Sequence, residues 1–196
     1  MGIDPAPFWA NLFLYFYEEE YMKSLISSNK PKARHFHCTK RFIDDLCAVN
    51  DGGEFGRSYL DIYPQELELK VEHQGTHACI LNLDISILDN MFVYKLYDKR
   101  DDFPFSIVRM PHIDSNIPQN IFYSAMKGEF LRIARSTLFI QDFLPRAKEL
   151  LRRMHSQGSR SAPTKHSLRK IIISHKEDFQ HYHIPCDTLI DTLMQD

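Results

Sequence analysis

Apolar residues at Phe8, Trp9, Leu12, Phe13 and Phe16, continuing through Met22, Leu25 and Ile26, recur at the helical period. They predict one amphipathic helix of about 20 residues ending near Ser27. Asp4 as a cap, or Pro7 as the first helical residue, would open it, and its Phe and Trp side chains are expected in a core. Ser28-Asn29-Lys30-Pro31 reads as a turn. From His35 to Val49 the pattern predicts two strands, Arg41-Phe42-Ile43 and Leu46-Cys47-Ala48-Val49, separated by Asp44-Asp45. Asp51-Gly52-Gly53 closes that unit, and Glu54 to Tyr63 predicts a short helix stopped by Pro64.

Strict alternation then predicts strands over Leu67–Val71 and Ile80–Leu88, with Asp89-Asn90 as a hairpin turn into a strand from Met91 to Tyr97. Phe103 to Val108 reads as extended. From Pro118 the period becomes helical: a first helix through Ile121, Phe122, Ala125, Phe130, Ile133 and Ala134 tolerates Gly128 at its centre. A second passes Ile140, Phe143, Ala147, Leu150, Leu151 and Met154 to end near Gly158, with Pro145 in its first turn. Thr164 is the expected cap of a third through Leu168, Ile171 and Ile172, and Pro185 to Leu193 predicts a short fourth. The fold class is α+β, passing near Pro111 from a mixed layer (residues 1–110) to a helical region (residues 111–196).

Composition adds little to this until charge is resolved along the chain. A hydrophobic share of 43% and a charged share of 26% are ordinary for a globular protein, and the net charge is −2. That balance conceals a basic stretch. Lys127, Arg132, Arg135, Arg146, Lys148, Arg152, Arg153, Arg160, Lys165, Arg169 and Lys170 face only Glu129, Asp142 and Glu149 within the same span. Such an excess suits a polyanionic partner or, equally, a solvated helical surface. Cys38, Cys47, Cys79 and Cys186 are scattered, which fits a reduced intracellular compartment, nuclear or cytoplasmic. No apolar run reaches the roughly 20 residues needed to cross a membrane, and no basic-then-apolar leader pattern is present.

The chemistry-bearing candidates are few. Two adjacent carboxylates, Asp44 and Asp45, gather negative charge at one edge of a sheet, where a cation or water must compensate it. Asp-Asp is also ordinary turn composition. His35-x-His37-Cys38, His73-x3-His77 with Cys79, and His181-x-His183 with Cys186 read as solvated or cap-forming histidines, since none has a matched second pair. No nucleophile elbow, phosphate-binding glycine loop or dinucleotide fingerprint occurs.

In this order the blocks resemble the reverse transcriptase domain of retroelements. Phe42-Ile43-Asp44-Asp45 looks like that family's aromatic-any-Asp-Asp box on the palm hairpin. Gly2-Ile3-Asp4-Pro5-Ala6-Pro7-Phe8-Trp9-Ala10-Asn11-Leu12 is similar to its preceding helix-opening block, and Leu81-Asn82-Leu83-Asp84-Ile85 to the strand following the hairpin. Tyr97 to Phe103 and Ser115-Asn116-Ile117-Pro118 look like a Penelope-type subgroup. The resemblance implies the second half of a palm followed by a helical thumb. It implies RNA-directed DNA polymerase chemistry, with Asp44 and Asp45 as catalytic and metal-binding residues for Mg²⁺ or Mn²⁺, and Gly2, Pro7 and Asn11 near the incoming nucleotide. Arg132, Arg135, Arg146, Lys148, Arg152, Arg153, Lys165, Arg169 and Lys170 would grip an RNA template and DNA primer duplex.

The family carries a further metal-binding aspartate and its fingers before the helix-opening block, where this chain has no residues, and Met1 abuts that block. The expectation is therefore an incomplete metal site, inactive alone. A helix-turn-helix nucleic-acid-binding role for Pro118 to Ile173, or a retroelement remnant without function, also fits.

Overall fold

The computed structural model describes residues 5–105, 107 and 110–195. The protein is α+β, with helices and small antiparallel sheets. It divides into two compact units, Met1–Gln74 and Gly75–Asp196.

In the first unit, α1 (Ala6–Ser28) starts with prolines in its first turn, where a missing N–H costs nothing. Asp4, the alternative cap, lies outside the described residues. Helix α2 (Lys30–Arg34) stands where a turn was expected; the Asn29 side chain accepts from the Lys32 N–H at 3.1 Å, converting the turn chemistry into a cap. Strands β1 (Thr39–Phe42) and β2 (Asp45–Ala48) form a two-stranded antiparallel hairpin. Helix α3 (Glu54–Ile62) begins at Gly53, whose φ of +76° suits glycine, and Asp51 accepts from the N–H groups of Gly53 and Phe55 at 3.0 and 2.9 Å.

The core of this unit is small: Leu25, Phe36, Phe55 and Ile62, with Tyr21, Met22, Leu46, Tyr63 and Leu69 packed around them. It reaches only the C-terminal half of α1. Phe8, Trp9, Leu12, Phe13 and Phe16 are exposed, Phe8 by 64%, contrary to the expectation that they are core. Leu67–Val71 is not a strand either. Its alternation is real, but no neighbouring edge pairs with it, and unpaired strands gain nothing from the pattern.

The second unit opens with a three-stranded antiparallel sheet, β3 (His77–Ile80), β4 (Leu83–Leu88) and β5 (Met91–Leu96), in that order. The single strand expected over Ile80–Leu88 is broken by a two-residue turn at Leu81-Asn82, so that Ile80 faces Leu83. Asp89-Asn90 makes the expected hairpin turn, both residues with positive φ. Among the described residues of Phe103 to Val108 there are bends and no strand; Ser106 and Val108 lie outside them.

Four α-helices follow: α4 (Gln119–Arg135), α5 (Ile140–Ser156), α6 (Ser161–Ser174) and α7 (Cys186–Met194). Pro118 and Pro185 sit at the N-caps of α4 and α7. Thr164 does not cap α6: Pro163 is tolerated in the first turn, the helix reaches back to Ser161, and Thr164 is fully buried. Gly158, just past the Gln157 C-cap of α5, takes the left-handed turn that closes the helix, with φ +88°, and a Cβ there would fall 2.9 Å from Ile113 Cγ2.

A second core joins these helices to the sheet. Phe130, Phe143, Phe179 and Tyr182 stack or meet edge to face, with Met126, Met154, Leu168 and Ile190 fully buried around them. Leu96 of β5 belongs to this core, Leu138 N–H donates to Tyr94 O at 3.1 Å, and Asn82 Nδ2 donates to Ser136 Oγ at 3.2 Å. The β3–β5 sheet thus shares a compact unit, beginning at Gly75, with the helices that follow it.

Candidate functional site

Asp44 lies in the two-residue turn of the β1–β2 hairpin and Asp45 is the first residue of β2, paired with Phe42. The strands beside them are not deeply buried: Phe42 is 58% exposed and Leu46 is half-buried, so water reaches both carboxylates. Neither takes part in the ion pairs of this unit among the described residues. The turn has one costly feature. Ile43 sits at φ +58°, a conformation that a β-branched side chain disfavours by roughly 1–2 kcal/mol.

Arg41 offsets that cost. Its guanidinium donates to the Ile43 carbonyl at 3.0 Å from Nη1 and to Glu18 Oε1 at 2.6 Å from Nε. The same group reaches Asn11, with Nη1 donating to Oδ1 at 2.7 Å and Nη2 to the carbonyl at 3.3 Å. Tyr63 completes the cluster by donating to Glu18 Oε1 at 2.6 Å. Burial first, then the Glu18 carboxylate, push the Tyr63 phenol well above its ordinary value, so it stays a proton donor. Asn11, on the exposed face of α1, is thereby brought to the Asp44-Asp45 turn, thirty residues on in the chain. Pro7 is exposed one turn earlier on α1, and Gly2 lies outside the described residues.

The cations of the helical unit are mostly engaged within it. Arg132 pairs with Glu129 at 2.6 Å and approaches Asp98 at 3.8 Å; Arg146 pairs with Asp101 at 2.5 Å; Arg153 pairs with Glu149. Arg135 pairs with Asp178 at 2.9 Å, Lys165 with Asp191 at 2.8 Å and Arg169 with Asp187 at 2.5 Å. Lys148 donates to the Gln195 carbonyl at 2.8 Å. Arg152 and Lys170 are exposed, and none of the ion pairs among the described residues engages them. Asp178, Asp187 and Asp191 were hidden as partners in the sequence because they lie beyond the basic stretch, as Asp98 and Asp101 lie before it. The pairing lowers the free positive charge available to a polyanion.

Sequence reasoning missed Arg41, Glu18 and Tyr63 as the supports of the hairpin; an arginine directly before the Phe-Ile-Asp-Asp box was the available signal. It also missed a carboxylate beside His77 and Cys79, namely Asp84 across the unrecognised Leu81-Asn82 turn.

Among the described residues no helix is long and apolar enough to cross a membrane. Compared with known proteins, the chain matches no family model, no curated protein and no solved structure.

Proposed function

We propose that this chain carries part of a reverse-transcriptase-type palm, with Asp44 and Asp45 as its metal-facing edge and the Asn11 side of α1 as its nucleotide-facing wall. The observation that supports the reading is the Arg41 bridge. One guanidinium ties the helix resembling the family's helix-opening block to the turn resembling its Asp-Asp box. Two unrelated coincidences of composition would not be expected to converge on one side chain.

The donor set suits a hard cation. Two solvated carboxylates fit Mg²⁺ or Mn²⁺, which keep several waters and are completed by substrate phosphates rather than by an all-protein cage. Such ions, when bound, activate a primer hydroxyl and neutralise the transferred phosphates. No third carboxylate, imidazole or thiol of the described residues joins Asp44 and Asp45 in a cluster. The chain's own residues thus supply half a site: Arg41 and Glu18 fix the hairpin on α1, and the strained Ile43 holds the two carboxylates at its tip.

The expected behaviour follows from two ligands being too few. With an RNA template, a DNA primer and deoxynucleotides in Mg²⁺ or Mn²⁺, the purified chain extends no primer. Extension abolished by Asp44→Ala would overturn the incompleteness of the site; extension that survives Asp44→Ala would overturn the role of the turn itself.

A further inference from the structure

We propose that His77, Cys79 and Asp84 form a zinc-binding site that staples β3 to β4. The proposal is independent of the polymerase reading, since it uses other residues, in the other compact unit, and a different class of metal.

Strand geometry makes the site. His77 and Cys79 are two residues apart on β3, so their side chains leave the same face. Asp84 on β4 lies directly opposite Cys79 in the antiparallel register, which puts it on that face too. One ligand atom from each lies within 4.8 Å of the other two. A tetrahedral zinc ion with bonds near 2.0–2.3 Å holds its ligands roughly 3.3–3.8 Å apart, so about an ångström of side-chain adjustment closes the set. His77 Nε2 and Asp84 Oδ1 are already in contact at 2.6 Å, sharing a hydrogen bond that the metal would replace.

The surroundings favour a cation. Asp84 turns its other oxygen towards Lys95 on β5, 3.5 Å from Nζ, which fixes the carboxylate while leaving Oδ1 for the metal. Burial first, then the charges of Asp84 and Asp102, push the Cys79 thiol up against the opposing effect of Lys95. The same two carboxylates that resist a bare thiolate attract a divalent ion. Asp102 is held nearby by the Tyr97 hydroxyl at 2.6 Å. An imidazole, a thiolate and one carboxylate suit Zn²⁺ better than Mg²⁺, and the exposed His77 side leaves a fourth position to water. Binding needs the thiolate, so the thiol proton passes to solvent and affinity rises with pH.

The test is titration of the full-length chain with Zn²⁺ against a chromophoric chelator, repeated with Co²⁺ followed by absorbance. The expected result is one ion per chain, a thiolate-to-cobalt charge-transfer band that Cys79→Ser removes, and affinity losses of more than about 10-fold in His77→Ala and Asp84→Asn. Cys186→Ser should change nothing. In the unmodified chain, Zn²⁺ should shift the His77 ring resonances before those of other histidines, a readout that needs no variant to fold. Absence of stoichiometric binding, a band that persists in Cys79→Ser, equal loss in Cys186→Ser, or shifts centred on other histidines would each overturn the proposal.

Discussion

Asp98 is a buried carboxylate of the helical unit, held by two arginines. Burial raises its carboxyl, but hydrogen bonds from the Arg100 side chain and backbone, with the charges of Arg100 and Arg132, outweigh burial and hold it down to about 2. In the unfolded chain the same group returns to its ordinary 3.8. A carboxyl depressed in the folded state stabilises above its unfolded value and loses that contribution as pH falls towards the folded one. The full contribution is about 2 kcal/mol, and roughly half of it disappears between about pH 6 and about pH 3. Chemical denaturation of the native chain and Asp98→Asn at the two pH values checks this. The variant should cost less at the lower pH by about 1 kcal/mol, and an unchanged cost would contradict the assignment.

Between elements, the two-residue turns decide what is joined to what. Ile43, in the β1–β2 turn, and Leu81, in the β3–β4 turn, both hold positive φ that glycine would adopt without strain. Leu81 is 45% exposed, so its side chain contributes little packing to offset the strain. Leu81→Gly should therefore raise the unfolding free energy by up to about 1 kcal/mol while preserving the Cys79–Asp84 pairing; a loss of stability would show that Leu81 is packed more tightly than its exposure implies. These turns also explain what could be read in advance. Helix starts at Pro118 and Pro185 and the Asp89-Asn90 hairpin were legible because each carries the residue type that its backbone demands. The Leu81-Asn82 turn carries no glycine, so period-two alternation ran through it and merged two strands. Asp84 was consequently assigned no partner. In the candidate site, the position of Asp44-Asp45 at a hairpin tip was legible, whereas the Arg41 bridge to Asn11 and Glu18 was not, since it spans thirty and twenty-three residues of chain.

At the scale of the molecule, each unit has its own core, and the two differ in what they leave uncovered. The helical unit has a buried aromatic cluster, and its ion pairs engage most of the cations named above, leaving Arg152 and Lys170 exposed. The hairpin unit leaves open both the aromatic N-terminal half of α1 and the Asp44-Asp45 turn. We propose this turn as a half-built metal edge that nucleotide phosphates complete. Its most direct test is paramagnetic broadening of amide resonances on adding Mn²⁺, with and without a deoxynucleoside triphosphate and a primer duplex. Broadening should centre on Ile43 to Leu46, be weak with Mn²⁺ alone, strengthen when nucleotide is present, and vanish in Asp44→Asn. Broadening that avoids the turn, or that nucleotide leaves unchanged, would contradict the claim.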